Sequence, residues 1–240
     1  MSVLQTELVY RKSATGSSDG GAVSGSLLTS GLKNDLWPNI SDVNRLAGGT
    51  RYKKIFICND AVVDSLVVPS IWNFQQPTNI TQQIGFGHDD SVDDNSLQGN
   101  MTAWAAGALA AFVSSAADTR TLTIWGLDGS SIPQTESVTM NGTTEVLSVG
   151  TYTKVFGCLL SATGAQTVTI KQGTGGTTRG TIGASEVTCW IWLDANIKAD
   201  GIMLPSLLAF ESYGIWLKQS WIAGAAGVRP DAAIVAVEEN

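Results

Sequence analysis

The densest group of side chains able to bind a metal or move a proton is His88-Asp89-Asp90-Ser91-Val92-Asp93-Asp94. Carboxylates two to five residues apart in one loop can surround Ca²⁺, which takes six or more hard oxygen ligands. Asp89, Asp90, Asp93 and Asp94 nevertheless lack the D-x-D-x-D-G spacing and the distal Glu of an EF-hand loop. The expectation is a solvated acidic loop without a metal, with a cation site as the alternative. His88 is the single histidine, so any Ser-His-Asp arrangement must use it, and no G-x-S-x-G elbow is present. Gly173-Thr174-Gly175-Gly176 has the composition of a phosphate loop but not its G-K-[ST] ending, and no helical pattern follows to bind an anion. No pair of carboxylates stands out as the acid and base of a glycosidase. Cys58, Cys158 and Cys189 have no zinc-type spacing and sit in apolar, strand-like runs. They read as buried free thiols, with a Cys58–Cys189 or an intersubunit bridge as the alternatives. Together these residues predict a protein that is not an enzyme and carries no cofactor.

Tryptophan is the residue type in excess, with eight copies. Trp190 and Trp192 lie on one face of a strand, and Trp216 and Trp221 lie on a later one. Tryptophan anchors protein interfaces and fills cores. These four are therefore candidate interface or core residues, with a sugar-stacking platform as the alternative.

Composition limits the partners. Charged residues make up 15% of the 240 residues, against about 25% in an average soluble domain. Hydrophobic residues make up 43%, which fits badly with a disordered chain, since disorder goes with low hydrophobicity and high charge. A chain poor in charge and rich in Gly, Thr and Ser is expected to share its surface with neighbours. The net charge of −7 argues against direct nucleic-acid binding, which leaves a basic footprint. Met1 to Ser13 has no basic segment followed by an apolar one, and no run approaches the roughly 18 apolar residues of a membrane span. A soluble protein made in a cytosol, with no membrane partner, is expected.

The elements that must position these residues are almost all strands. Thr121 to Trp125 alternates, with Leu122 and Ile124 on one face. Asp128-Gly129 and Asn141-Gly142 are turn signals, and Glu136 to Met140 alternates between them. With Val146 to Leu160, broken at Gly150, the stretch 120–160 predicts an antiparallel meander. Further strand candidates are Leu4–Lys12, Arg51–Asn59, Ser65–Phe74, Ile80–Phe86, Gln166–Gln172, Glu186–Leu193, Met203–Phe210, Tyr213–Ile222 and Ala233–Val237. Pro69 cannot donate to a ladder, so it marks an edge, a bulge or a strand switch. Ser41 to Leu46 predicts a helical turn capped by Ser41 and stopped by Gly48-Gly49. Met101 to Ala117 reads either as a short helix, from its i, i+3, i+4 spacing, or as a loop leading into a strand. The stretch between the 166–172 and 186–193 strands, GTGGTTRGTIGAS, predicts a long mobile connection with room for a short edge strand at Thr178 to Ile182. Ser13 to Ser26 reads as a flexible arm or surface loop, and Ala233–Val237 as a strand able to join a neighbour.

The patterns W-G-L-D-G-S, E-S-V-T-M-N-G-T-T-E-V and Y-T-K-V-F resemble a β-sandwich module of virion structural proteins in tailed bacteriophages. The earlier R-K-S-A-T-G-S-S-D-G-G-A-V-S-G, L-T-S-G-L-K-N-D-L-W-P-N-I-S and G-G-T-R-Y-K-K-I-F-I-C-N-D are similar to the opening of phage structural proteins, so the resemblance covers roughly residues 9 to 160. It implies a non-enzymatic virion component, synthesised in the host cytoplasm, that forms a homo-oligomeric ring and binds other virion proteins. The head-to-tail neck, as a collar or connector, is the expected place. A capsid decoration or tail and baseplate protein is the alternative, and a glycan-binding adhesin is the alternative of another class. About twelve strands at intervals near ten residues predict an all-β antiparallel sandwich, jelly-roll-like, with at most one short helix. The expected organisation is an N-terminal strand and arm (1–34), a sandwich body (35–224) and a C-terminal arm (225–240).

Overall fold

The computed structural model describes residues 3–14, 21–29, 35–75, 80–86, 98–102, 104, 107–192, 197–224 and 234–239. The chain divides into two compact units, Met1–Asn95 with Leu193–Asn240, and Ser96–Trp192. The first unit begins with β1 (Leu8–Ser13), β2 (Val23–Leu27), α1 (Asp42–Ala47), β3 (Gly49–Asn59), β4 (Ser70–Gln75) and β5 (Ile80–Phe86). The second holds β6 (Gln98–Asn100), β7 (Ala108–Ser114), β8 (Thr121–Leu127), β9 (Pro133–Thr139), β10 (Val146–Tyr152), β11 (Lys154–Leu160), β12 (Val168–Gln172), β13 (Thr177–Ile182) and β14 (Thr188–Trp190). The chain then returns to the first unit with β15 (Ile202–Met203), β16 (Ser212–Trp221) and β17 (Ile234–Glu238). The all-β antiparallel sandwich class expected from the sequence is what forms. Among the described residues each unit has two sheets, and the β6–β14 pair alone among their ladders is parallel. The expected 35–224 body is thus shared between both units, and the first unit also takes β1, β2 and β17 from the expected arms.

In the second unit one sheet runs β10-β7-β12-β13 and the other β6-β14-β11-β8-β9. Alternation buries Leu122, Ile124, Cys158, Leu160 and Cys189, as a sandwich core requires. The sheet edges are stitched together. Glu136 on β9 accepts from the backbone of Val149 and Gly150 on β10, and Gln134 Nε2 donates to Thr151 O. At the other side, Met101 bridges Gly180 and Thr102 N donates to Arg179 O. Contacts of this kind cover part of the strand borders that otherwise invite aggregation.

Four local expectations are corrected here. For Met101 to Ala117 the helix reading is corrected and the loop leading into a strand is what forms: β7 is central between β10 and β12, and the consecutive buried residues Ala110, Ala111 and Phe112 show that both of its faces are covered there. Gly107 ahead of it has a left-handed φ of 74°. The Asn141-Gly142 turn forms, with Gly142 at φ 59° and an Asn141–Thr144 bridge. It does not make a hairpin, however, because β9 pairs with β8 while β10 crosses to β7 in the opposite sheet. In the Asp128 turn the left-handed residue is Ser131 (φ 62°), and the Asp128 carboxylate holds the loop by accepting from Ser130 N and Ile132 N. The expected mobile connection after β12 is instead a tight turn at Gly173–Gly176, with β13 as the edge strand.

In the first unit a five-stranded sheet, β2-β1-β3-β16-β5, accompanies a three-stranded one, β15-β4-β17. Ser41 caps α1 as expected, its Oγ accepting from Asn44 N, and Gly48 ends the helix at φ 70°. Pro69 stands just ahead of the ladder it could not donate to: β4 starts at the next residue, and the preceding Leu66 makes an isolated bridge with Leu207. The expected Met203–Phe210 strand is only Ile202–Met203, followed by a loop.

Candidate interaction surfaces

The four candidate interface tryptophans divide in two. Trp190 and Trp216 are both 0% exposed. They are core residues of this chain, which corrects their candidacy as surface anchors. Trp190 stacks on Trp125, and Trp216 sits mid-strand on β16 between Lys54 of β3 and Gly85 of β5. Trp192 and Trp221 remain half-buried. Trp72, Trp104 and Trp125 are also buried, so five of the eight tryptophans belong to the core.

Trp221 is held firmly at the end of β16. Its indole Nε1 donates to Asn44 O at 2.9 Å, and its ring lies where a side chain at Gly49 would stand. Arg51, on the neighbouring strand, places its guanidinium 5.9 Å from the Trp221 ring and 4.8 Å from that of Trp37. Its Nε donates to Gln219 at 2.7 Å. Cation–π contact of this kind contributes about 0.5–1 kcal/mol at an exposed site. The guanidinium between the rings occupies faces on which a sugar would stack.

The residues considered for chemistry do not assemble a reactive centre among the described residues, which hold no group of three or more His, Cys, Asp or Glu placed for a metal ion. His88 and the candidate ligands Asp89, Asp90, Asp93 and Asp94 lie outside the described residues. The Gly173–Gly176 turn already binds an anion, the Glu145 carboxylate, which accepts from Gly175 N at 2.7 Å and pairs with Lys171 at 3.0 Å. Those contacts, the Gly175 N–H first, hold the Glu145 carboxyl below its ordinary range. All three cysteines are free and buried. Burial pushes Cys58 up to about 11 and Cys189 to about 12, so neither is a thiolate nucleophile at neutral pH. Cys158 faces Cys189 as its cross-strand partner.

One surface feature was not legible as a site. At one end of the first unit, loops 60–69 and 204–211 are bound to each other by reciprocal Leu66–Leu207 backbone bonds of 2.8 and 2.9 Å. Buried Asn59 ties both loops down: Nδ2 faces the carbonyls of Asp64, Leu207 and Leu208, and Oδ1 accepts from Ala61 N. On this rigid base Val62, Val63, Val67, Leu208 and Phe210 are exposed, Val63 by 80% and Phe210 by 70%. Val68 (φ 40°) and Phe210 (φ 65°) are both left-handed. That conformation costs a non-glycine residue about 1–2 kcal/mol and is an outlier for a β-branched or bulky one. The sequence signal was the apolar V-V-D-S-L-V-V-P run, which periodicity alone turns into a strand.

Comparison of the chain with protein-family models, curated proteins and solved structures finds no match.

Proposed function

We propose that the chain is a non-enzymatic structural component of a tailed-phage particle, placed at the head-to-tail neck as a ring-forming collar or connector protein. The resemblance across roughly residues 9 to 160 supports the virion reading. The observation that carries self-assembly is the position of the outermost strands. β2 is the last strand of the five-stranded sheet and β17 the last of the three-stranded one, and among the described residues each pairs on one side only. An edge strand offers a row of unpaired N–H and C=O groups to another copy. Added or exchanged strands would give the ring a stability that belongs to the assembly rather than to one subunit. Other virion proteins are the further partners, and the virion is the place of the assembled protein. Decoration and tail or baseplate roles use the same surfaces. A glycan-binding adhesin has less support, because most of the tryptophans are core residues.

Light scattering of the purified chain at low and high concentration tests this. A ring in multiples of six supports the neck reading, and a trimer points to decoration or fibre roles. A strict monomer at every concentration rejects self-assembly. Intrinsic fluorescence that shifts on adding sugars would favour the adhesin.

A further inference from the structure

We infer that the loop tip of the first unit, built from residues 60–69 and 204–211, docks a different protein through an apolar segment flanked by lysine or arginine. This goes beyond ring assembly and does not depend on it. Leu208 O accepts from Glu211 N at 3.1 Å, closing a four-residue turn in which Phe210 takes the third position at φ 65°. A turn with a left-handed third residue ordinarily places glycine or asparagine there. Phe210 is disfavoured by the backbone, and at 70% exposure it contributes little burial in return. The turn is over-determined by its bonds: Phe210 N donates to Asn59 O at 2.8 Å, and Leu208 N to Glu211 Oε2 at 2.8 Å. The framework therefore holds an aromatic ring out to solvent in a conformation that folding alone would give to a smaller residue. Strain of this kind concentrates at binding sites. Val62, Val63 and Val67 are exposed on the loop that the Leu66–Leu207 bonds join to this one, and Leu208 is exposed in the turn itself, so the tip displays several apolar side chains.

Charge selects the partner. Asp60, Asp64 and Glu211 belong to the two loops and the Glu239 carboxylate accepts from Val67 N, against the cation Arg11, which pairs with Asp60 at 2.6 Å. A second copy would bring like-charged rims together, which is repulsive at an interface. An apolar segment with cationic flanks satisfies both the patch and its rim.

The test uses the full chain and a fluorescein-labelled peptide of alternating leucine, phenylalanine and lysine, with a counterpart in which glutamate replaces lysine. Anisotropy is expected to show the lysine peptide binding at least about tenfold tighter than the glutamate one, the preference shrinking as salt rises. Phe210→Gly is expected to keep or raise the melting temperature while weakening peptide binding about tenfold or more. Leu208→Ser, which leaves the turn backbone intact, serves as the second variant. Equal binding of both peptides, or variants that bind as the parent does, would overturn the proposal. So would a concentration-dependent mass lost in Phe210→Gly, which would assign the tip to a second copy.

Discussion

Trp125 and Trp190 stack 6.5 Å apart with their planes 18° from parallel, across the intervening strand that presents Gly157 between them. Three strands, β8, β11 and β14, are thereby tied by one aromatic pair, and the missing side chain of Gly157 makes the space.

A β-carbon at Gly157 would stand 2.6 Å from Trp190 Cε3, and Trp190 is wholly buried. Gly157→Ala is expected to destabilise the fold by about 1–3 kcal/mol through overpacking. Urea unfolding followed by tryptophan fluorescence measures this, and an unchanged midpoint would mean that the indole can shift freely.

Asp118 gives a pH dependence. Its carboxylate accepts from Arg120 Nη2 at 2.7 Å, Nε at 2.9 Å and backbone N at 3.0 Å. These bonds, the Arg120 side chain first, hold its carboxyl below the ordinary 3.8. A depressed folded-state value stabilises the fold above the unfolded value, and that contribution is lost as pH falls from near 3.8 through the lower folded value. Asp118→Asn is expected to cost about 2 kcal/mol at pH 7 and to flatten the acid limb of the stability curve below pH 4. Thermal melts between pH 2 and 7 compare the two.

Asn59 should be hard to replace. Asn59→Asp keeps the shape but puts an acceptor against the carbonyls of Asp64, Leu207 and Leu208. An expected loss of about 2–4 kcal/mol follows from stranding buried polar groups. Hydrogen exchange should show faster exchange at Leu66 and Leu207 before the rest of the unit responds.

The thiols should be silent in the native state. Burial raises Cys158 along with Cys58 and Cys189, so iodoacetamide at pH 8 is expected to leave all three unmodified and to label all three once urea unfolds the chain. Rapid native labelling of Cys158 or Cys189 would mean that β14 opens locally.

Much of this fold was legible in short-range pattern. Alternation at Thr121 to Trp125 located β8, the Ser41 and Gly48 pair bounded α1, and the lack of a helical period over most of the chain settled the class. These features depend on contacts within a few residues, which spacing reports directly. Pairing was not legible. The Asn141-Gly142 signal described its turn but not that β9 and β10 part into opposite sheets, because a turn specifies backbone angles while partners are chosen by distant side chains. Nor could spacing tell that Trp190 and Trp216 are core residues while Phe210 is displayed. Burial depends on what covers a side chain, and on these strands the covering residues come from distant parts of the chain.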